Sequence, residues 1–341
     1  MPKKILGQIW LALMGLAFLV SCTQETKVEP ILLQGKTMGT TYNIKIVTTD
    51  SFDPAQLQSQ IDALLVQVNQ EMSTYIPDSE LSLFNSSKSL EAIEISDGLK
   101  RVVKEAIRLG KLSNGKLDVT VGPLVNLWGF GPEHRPDVIP TDEVLNATKK
   151  RIGLDKLSLN GNLLSKSIPD LYVDLSTIAK GYGVDVVADF IESQGFVNYL
   201  VEIGGEMRLK GTKAGGEAWH VAIEKPVDNE RKIQQIIVPN DNAVATSGDY
   251  RIYFEDNGVR YSHIIDPHTG KPINHKLVSV TVIHPSSMTA DGLSTAMMVM
   301  GPEQAYEFAK QHNLAVYLIS KTDDGFKEQA TVQFEQFLKK K

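Results

Sequence analysis

The chain has 341 residues, of which 42% are hydrophobic and 22% charged, the ordinary make-up of a globular protein with a sizeable core. Its net charge is −6, and no run of Lys and Arg is long enough to track a phosphate backbone, which excludes the electrostatic footprint of a nucleic-acid binder. One cysteine excludes an internal disulfide framework.

The first element is a targeting segment. Lys3 and Lys4 precede an apolar run from Ile9 to Val20, shorter than the ~20 residues that a membrane-spanning helix requires. The run ends in Leu19-Val20-Ser21-Cys22, which resembles a bacterial lipobox. The expectation is a signal peptide over residues 1–21, a lipid on Cys22, a tether to residue 33 and one domain over residues 34–338. The protein is then anchored by lipid in the bacterial cell envelope, facing the periplasm or the outer side of the cytoplasmic membrane.

Helices and strands alternate irregularly through the body. Asp53-Pro54 opens a helix with Leu57, Ile61, Leu64, Leu65 and Val68 at helical spacing. Ser96 precedes another, with Leu99, Val102, Val103, Ala106 and Ile107 on one face and Asn114-Gly115 at its end. Thr141 caps a shorter one that stops at Gly153. Strands are expected at Thr41–Val47, Tyr172–Leu175, Tyr199–Ile203, Trp219–Glu224, Gln234–Val238, Arg251–Phe254, Ser279–Ile283 and Ala315–Ile319. Several are joined by short turns without helices, so the fold class is α+β with mixed or antiparallel sheets, in one body or two lobes around a cleft.

Polar clusters punctuate this pattern. Gly35 to Thr40 places two glycines around Met38, either for close approach of a flat ligand or as a plain turn. Tyr75 is either a stacking ring or a half-buried core residue. Asp118 and Thr120 lie two apart after Lys116, and form a polar face or a loop that satisfies its own amides. Asp174 to Tyr182 puts Lys180 in the first turns of a helix, whose free amides favour anions. Gly181 and Gly183 there cost ~1 kcal/mol each relative to Ala, which points to a packing or ligand constraint. Val201 to Glu206 reads as a strand interrupted by a glycine bulge. Tyr261 to Pro272 carries Ser262, His263 and Asp266 into a turn. Asp291 and Thr295 are i,i+4 neighbours at a helix start, either oxygen ligands for Mg²⁺ or a dipole-complementing acid behind a Thr289 cap. Rossmann, Walker A, H-E-x-x-H, paired C-x-x-C and G-x-S-x-G motifs are absent.

In this order the clusters resemble one family, the ApbE-type FAD:protein FMN transferases. The matching blocks are Met38-Gly39-Thr40, Met72 to Tyr75, Leu117 to Val125, Asp174 to Tyr182, Glu202 to Glu206, Ala245 to Gly248, Tyr261 to Pro272, and Ala290-Asp291 with Thr295. The resemblance implies transfer of the FMN half of FAD onto a Thr or Ser hydroxyl of an acceptor protein, a subunit of a membrane redox pump, with AMP leaving. It implies FAD contacts at Met38, Tyr75, Lys116, Leu117, Asp118, Asp174, Lys180 and Ile265. It also implies Mg²⁺ ligands at Thr177 (through its carbonyl), Asp291 and Thr295. Some family members have Glu at the position of Lys180. His263 is the candidate base for the acceptor hydroxyl, because imidazole titrates near neutral pH, or else it only hydrogen-bonds a neighbour. Two rivals stand beside this reading: a Mg²⁺-dependent FAD pyrophosphatase, and a non-enzymatic FAD-binding lipoprotein.

Overall fold

A computed structural model describes residues 29–131, 139–227, 232–250, 252–256 and 258–339. The expected signal peptide and Cys22 lie outside these residues. Eight strands form a single sheet in which spatial order equals chain order. They are β1 (Ile31–Thr37), β2 (Thr40–Ile46), β3 (Tyr199–Ile203), β4 (Glu206–Lys210), β5 (Ala243–Gly248), β6 (Leu277–His284), β7 (Ala315–Thr322) and β8 (Gly325–Ala330). Every neighbouring pair is antiparallel. The expected α+β class is therefore present, with this sheet antiparallel throughout. The first strand begins at Ile31, inside the stretch assigned to the tether.

Alternation specifies the pairing. In β2 the residues Tyr42, Ile44 and Ile46 turn inward and are fully buried, and Tyr199, Val201 and Ile203 do the same in β3. Two-residue turns join β1 to β2 through Met38-Gly39 and β3 to β4 through Gly204-Gly205. All four residues have positive φ (49°, 69°, 58° and 104°), the conformation that suits the twist of a hairpin. Gly204-Gly205 is thus a tight turn and not the bulge expected from sequence, since Ile203 pairs directly with Glu206.

The helices are α1 (Pro54–Met72), α2 (Glu80–Ser86), α3 (Asp97–Leu112), α4 (Gly122–Leu127), α5 (Asp142–Lys149), α6 (Ser176–Ser193), α7 (Ser287–Met300), α8 (Pro302–Gln311) and α9 (Val332–Glu335). Of these, α1, α3, α6 and α7 cover one sheet face, while α9 lies on the other. Asp53, Ser96 and Thr141 accept hydrogen bonds from the opening amides of α1, α3 and α5, as their sequence positions predict. The main core joins Val102, Val103 and Leu109 of α3, Ile178 and Tyr182 of α6, and Leu293 and Met297 of α7 to Ala245, Val280 and Val282 of the sheet. Leu57, Ile61 and Leu65 of α1 pack on β2, β3 and the middle of α6. The opposite face buries Leu209, Val244 and Ile319 under Trp219, Phe334 and the hairpin Val221–Glu224/Ile233–Ile237.

Three expectations need correction. Tyr172–Leu175 is not a strand. The Asn85 carboxamide instead takes the place of a neighbouring strand for Val173, donating to its carbonyl and accepting from its amide at 2.8 Å each. The strand placed at Arg251–Phe254 is shifted to Tyr253–Asp256 and pairs with Val259–Ser262; Arg251 lies outside the described residues. Ser286, not Thr289, caps α7, accepting from the Thr289 amide at 3.3 Å, so Asp291 stands one turn inside the helix.

Candidate active site

Helices α6 and α7 meet at a point where only glycine fits. A Cβ on Gly181 would stand 2.3 Å from the Ser287 carbonyl oxygen. Asp185, on the same helix, accepts from the Ser287 and Met288 amides at 3.0 Å each and from the Ser286 hydroxyl at 2.7 Å. The orphan amides at the α7 N-terminus are therefore satisfied from within the protein.

This close crossing delivers Asp291 to the backbone of α6. Its Oδ2 accepts from the Gly181 amide at 3.0 Å, and the carboxylate is 2% exposed. In an α-helix the Gly181 amide faces the carbonyl four residues earlier, which is that of Thr177. Asp291 therefore stands against the turn of α6 that begins at Thr177. Thr177 Oγ1 is buried there without a hydrogen-bond partner. Thr295 lies one turn beyond Asp291 on the same face of α7, and its hydroxyl is 3.2 Å from Ser247 Oγ of β5.

Two further groups complete the centre. Lys180 Nζ stands 3.8 Å from Asp291 Oδ1 and 3.6 Å from Oε2 of Glu206. Glu206 opens β4 directly after the Gly204-Gly205 turn and is 4% exposed. Burial and the Asp291 charge push its carboxyl up to about 8 against the opposing pull of Lys180. Burial likewise raises Asp291, which Lys180 and the Gly181 amide partly offset. Burial alone would lower Lys180, but Asp291 and Glu206 outweigh it and hold its ammonium charged.

The donors here are oxygens: two carboxylates, two threonine hydroxyls and a carbonyl. Such a set suits Mg²⁺, which takes one or two carboxylates and keeps its other positions for water or phosphate. Among the described residues no group of three or more His, Cys, Asp or Glu converges, so no cage of the kind softer metals use is present there.

A second group surrounds the loop from Gly115 to Thr120. Lys116 Nζ reaches Asp266 Oδ2 at 3.3 Å, next to the buried Ile265, and Leu117 is 2% exposed. Asp118 Oδ1 accepts from the amide (2.8 Å) and hydroxyl (2.6 Å) of Thr120, whose hydroxyl accepts from the Gly153 amide at 2.6 Å. The loop does satisfy its own amides, and burial raises the Asp118 carboxyl while these bonds oppose the shift. A cavity of about 440 Å³ opens beside it, lined by Gly115, Asp118, Gly153, Asp155 and His268. Another of similar size, at Asp249, Arg260, Ser262, His275 and Lys276, holds none of the expected site residues.

Asp174 links the two groups. Its amide donates to the Val119 carbonyl at 2.7 Å, and its Oδ1 accepts from the Ser176 amide at 2.9 Å, two residues before the start of the Lys180 turn. Partial burial and the nearby Asp174 charge raise the Tyr75 phenol, yet the Tyr75 ring is 69% exposed, unlike a core residue. Met38 has φ 49°, an uncommon conformation for a long side chain, and its methyl would be 2.8 Å from a Cβ on Gly183. Gly183 therefore makes room for Met38 one turn along α6 from Lys180.

His263 Nδ1 is 3.0 Å from the Ile252 carbonyl oxygen, an acceptor only, so Nδ1 carries the proton and Nε2 keeps its lone pair. Burial lowers its pKa, the Ile252 carbonyl opposes that, and the charge on Lys180 lowers it further. Sequence reasoning missed Glu206 and Ser247 as members of the site. Both sit in blocks that carry the family resemblance, after Gly204-Gly205 and within Ala245 to Gly248, which was the available signal.

An antiparallel sheet layered with helices, holding a buried carboxylate–lysine centre lined by hard oxygen donors, defines the class of fold and site. Comparison with known proteins makes the class specific. The ApbE family model matches residues 38–318, and the chain belongs to the ApbE family. It is 59% identical to the FAD:protein FMN transferase of Vibrio cholerae over 97% of this chain and 99% of the relative. It is 50% identical to the protein of that name from Haemophilus influenzae, over 99% of both chains. The solved flavin transferase ApbE of Vibrio cholerae superposes with a TM-score of 0.86, covering 91% of this chain and 100% of that one.

Proposed function

We propose that this protein is an FAD:protein FMN transferase that uses Mg²⁺ to move FMN from FAD onto a Thr or Ser hydroxyl of an acceptor protein. The observation that carries the reading is the buried centre of Asp291, Glu206 and Lys180 with the Thr177 and Thr295 oxygens beside it. Two nearly inaccessible carboxylates are costly unless cations share the site, and a cation held there can in turn attract an anionic ligand. A flavin carrier has no need of such a centre, which favours chemistry at the pyrophosphate.

In the reaction the acceptor oxygen bonds to the FMN phosphorus, the bond from that phosphorus to the bridging oxygen breaks, and AMP leaves with the bridging oxygen. Asp291, Thr295 and the Thr177 carbonyl would hold Mg²⁺, which would supply charge neutralisation at the pyrophosphate. Lys180 adds a positive charge on the same side. His263 Nε2, with its lone pair free, takes the proton of the acceptor hydroxyl. Tyr75 and Met38 offer an exposed ring and a thioether for the flavin, and Asp174 holds the segment between them and the Lys116-Leu117-Asp118 loop. Lys116 is tied through Asp266 to the segment that carries Ile265, and both would contact FAD at that loop.

The acceptor belongs to a membrane redox pump, and the transferase reaches it from a lipid anchor on Cys22 at the envelope surface. Mass spectrometry of the mature N-terminus tests the anchor: a diacylglyceryl-modified Cys22 is expected, and an unmodified, uncleaved terminus removes it. The activity is tested with FAD, Mg²⁺ and a Thr-bearing carrier subunit. Covalent flavin on the acceptor supports transfer, whereas FMN and AMP released without it assign the pyrophosphatase.

A further inference from the structure

Lys180 is held between two carboxylates and bonded to neither. Its Nζ is 3.8 Å from Asp291 Oδ1 and 3.6 Å from Glu206 Oε2, both beyond hydrogen-bonding distance. Glu206 Oε2 is buried and receives no hydrogen bond, while the other oxygen of Asp291 is already engaged by the Gly181 amide. The side chains of Asp291 and Glu206 are 3% and 6% exposed, whereas that of Lys180 is 30% exposed and retains room to move.

One ammonium can compensate only one of two buried carboxyl groups in its ionised form, so the cation-free centre has room for a further positive charge. Resting on the cation site proposed above, we propose that Lys180 is an internal competitor for Asp291. In the cation-free protein its ammonium shares Asp291 with Glu206. When a divalent ion binds Asp291 the ammonium passes to Glu206, which holds it at the edge of the site, facing the ligand. Glu206 is thus a positioning residue acting through Lys180. The arrangement couples cation binding to delivery of the lysine charge, and both carboxylates end fully compensated.

The test reads binding and not turnover. Mn²⁺ is titrated into the full-length protein in detergent without FAD, with free Mn²⁺ followed by electron paramagnetic resonance. Lys180→Met removes the competitor, and Mn²⁺ is expected to bind about tenfold more tightly than in the wild type. Glu206→Gln leaves the ammonium only Asp291, and binding is expected to weaken by about tenfold. In the Lys180→Met background the Glu206→Gln loss should shrink, because there is no ammonium left to relocate. Lys180→Gln repeats the comparison should the methionine variant fail to fold. Equal or weaker binding by both lysine variants overturns the proposal and assigns Lys180 to a fixed structural ion pair, and so does an undiminished Glu206→Gln loss. Asp291→Asn separates the two levels of the argument: Mn²⁺ binding that survives it places the cation elsewhere and removes the underlying site, whatever Lys180 does.

Discussion

In the proposed reaction His263 takes the proton and Asp291 holds the cation, and each of these single residues makes a distinct prediction. Asp291→Asn keeps an oxygen for the Gly181 amide but loses the charge. It should lower Mg²⁺-dependent transfer by about 10²–10³ while the melting temperature stays near that of the wild type. Transfer retained at ordinary Mg²⁺, read as flavin-fluorescent acceptor on a denaturing gel, removes Asp291 from the ligands. His263→Ala should cut kcat by about 10²–10⁴ with little change in FAD affinity. Equal losses in both would reduce it to a binding residue. Its pH dependence has a definite sign. Burial and the Lys180 charge favour the neutral imidazole, so the base stays competent below the ordinary value of about 6.5. Transfer should fall only as pH drops through that lowered value, and His263→Gln should abolish that acid limb of kcat/KM. A limb that inflects above about 6.5 and disappears in His263→Gln would contradict this reading of the imidazole.

At the scale of elements, α6 shows how two glycines in one helix are needed for different reasons. Replacing either by Ala gains about 1 kcal/mol of helix propensity. At Gly181 the new methyl meets the Ser287 carbonyl oxygen at 2.3 Å and Met288 Cα at 2.8 Å, backbone atoms that no rotamer change can move. Overpacking costs about 1–3 kcal/mol, so Gly181→Ala should lower the melting temperature and separate α6 from Asp291. At Gly183 the obstacle is the flexible end of Met38, 2.8 Å away. Gly183→Ala should therefore leave stability near neutral and weaken FAD binding as Met38 is displaced. A calorimetric melt and a fluorescence titration of each variant check both statements, and a shared phenotype would show that Met38 is structural. The sequence announced that these glycines were constrained, but which neighbour constrains each depends on α7 and on the β1–β2 turn, remote in the chain.

At the scale of the whole molecule, legibility followed the range of the interactions. Asp291 and Thr295 were readable as one face of a helix because their relation is local, and Asp53, Ser96 and Thr141 were readable as caps for the same reason. Glu206 was not, because its place beside Lys180 arises from the Ile203–Glu206 register and from β4 lying under α6. Ser247 reaches Thr295 only because β5 runs beneath α7. Tyr172–Leu175 has strand-forming residues but meets the Asn85 side chain where a strand partner was expected. What the antiparallel sheet contributes is this set of non-local placements: its turns set Met38 and Glu206 at one end of α6, and its central strands support α7.

Flavin transfer by this centre with a divalent ion is directly measurable. The most direct measurement incubates the full chain with FAD, Mg²⁺ and a Thr-bearing carrier subunit, with and without chelator, and reads covalent flavin on the carrier after denaturation. A fluorescent carrier band that the chelator abolishes and added Mg²⁺ restores is the predicted result. A band of undiminished intensity in chelator, or FAD left intact in the presence of Mg²⁺ and carrier, would contradict it.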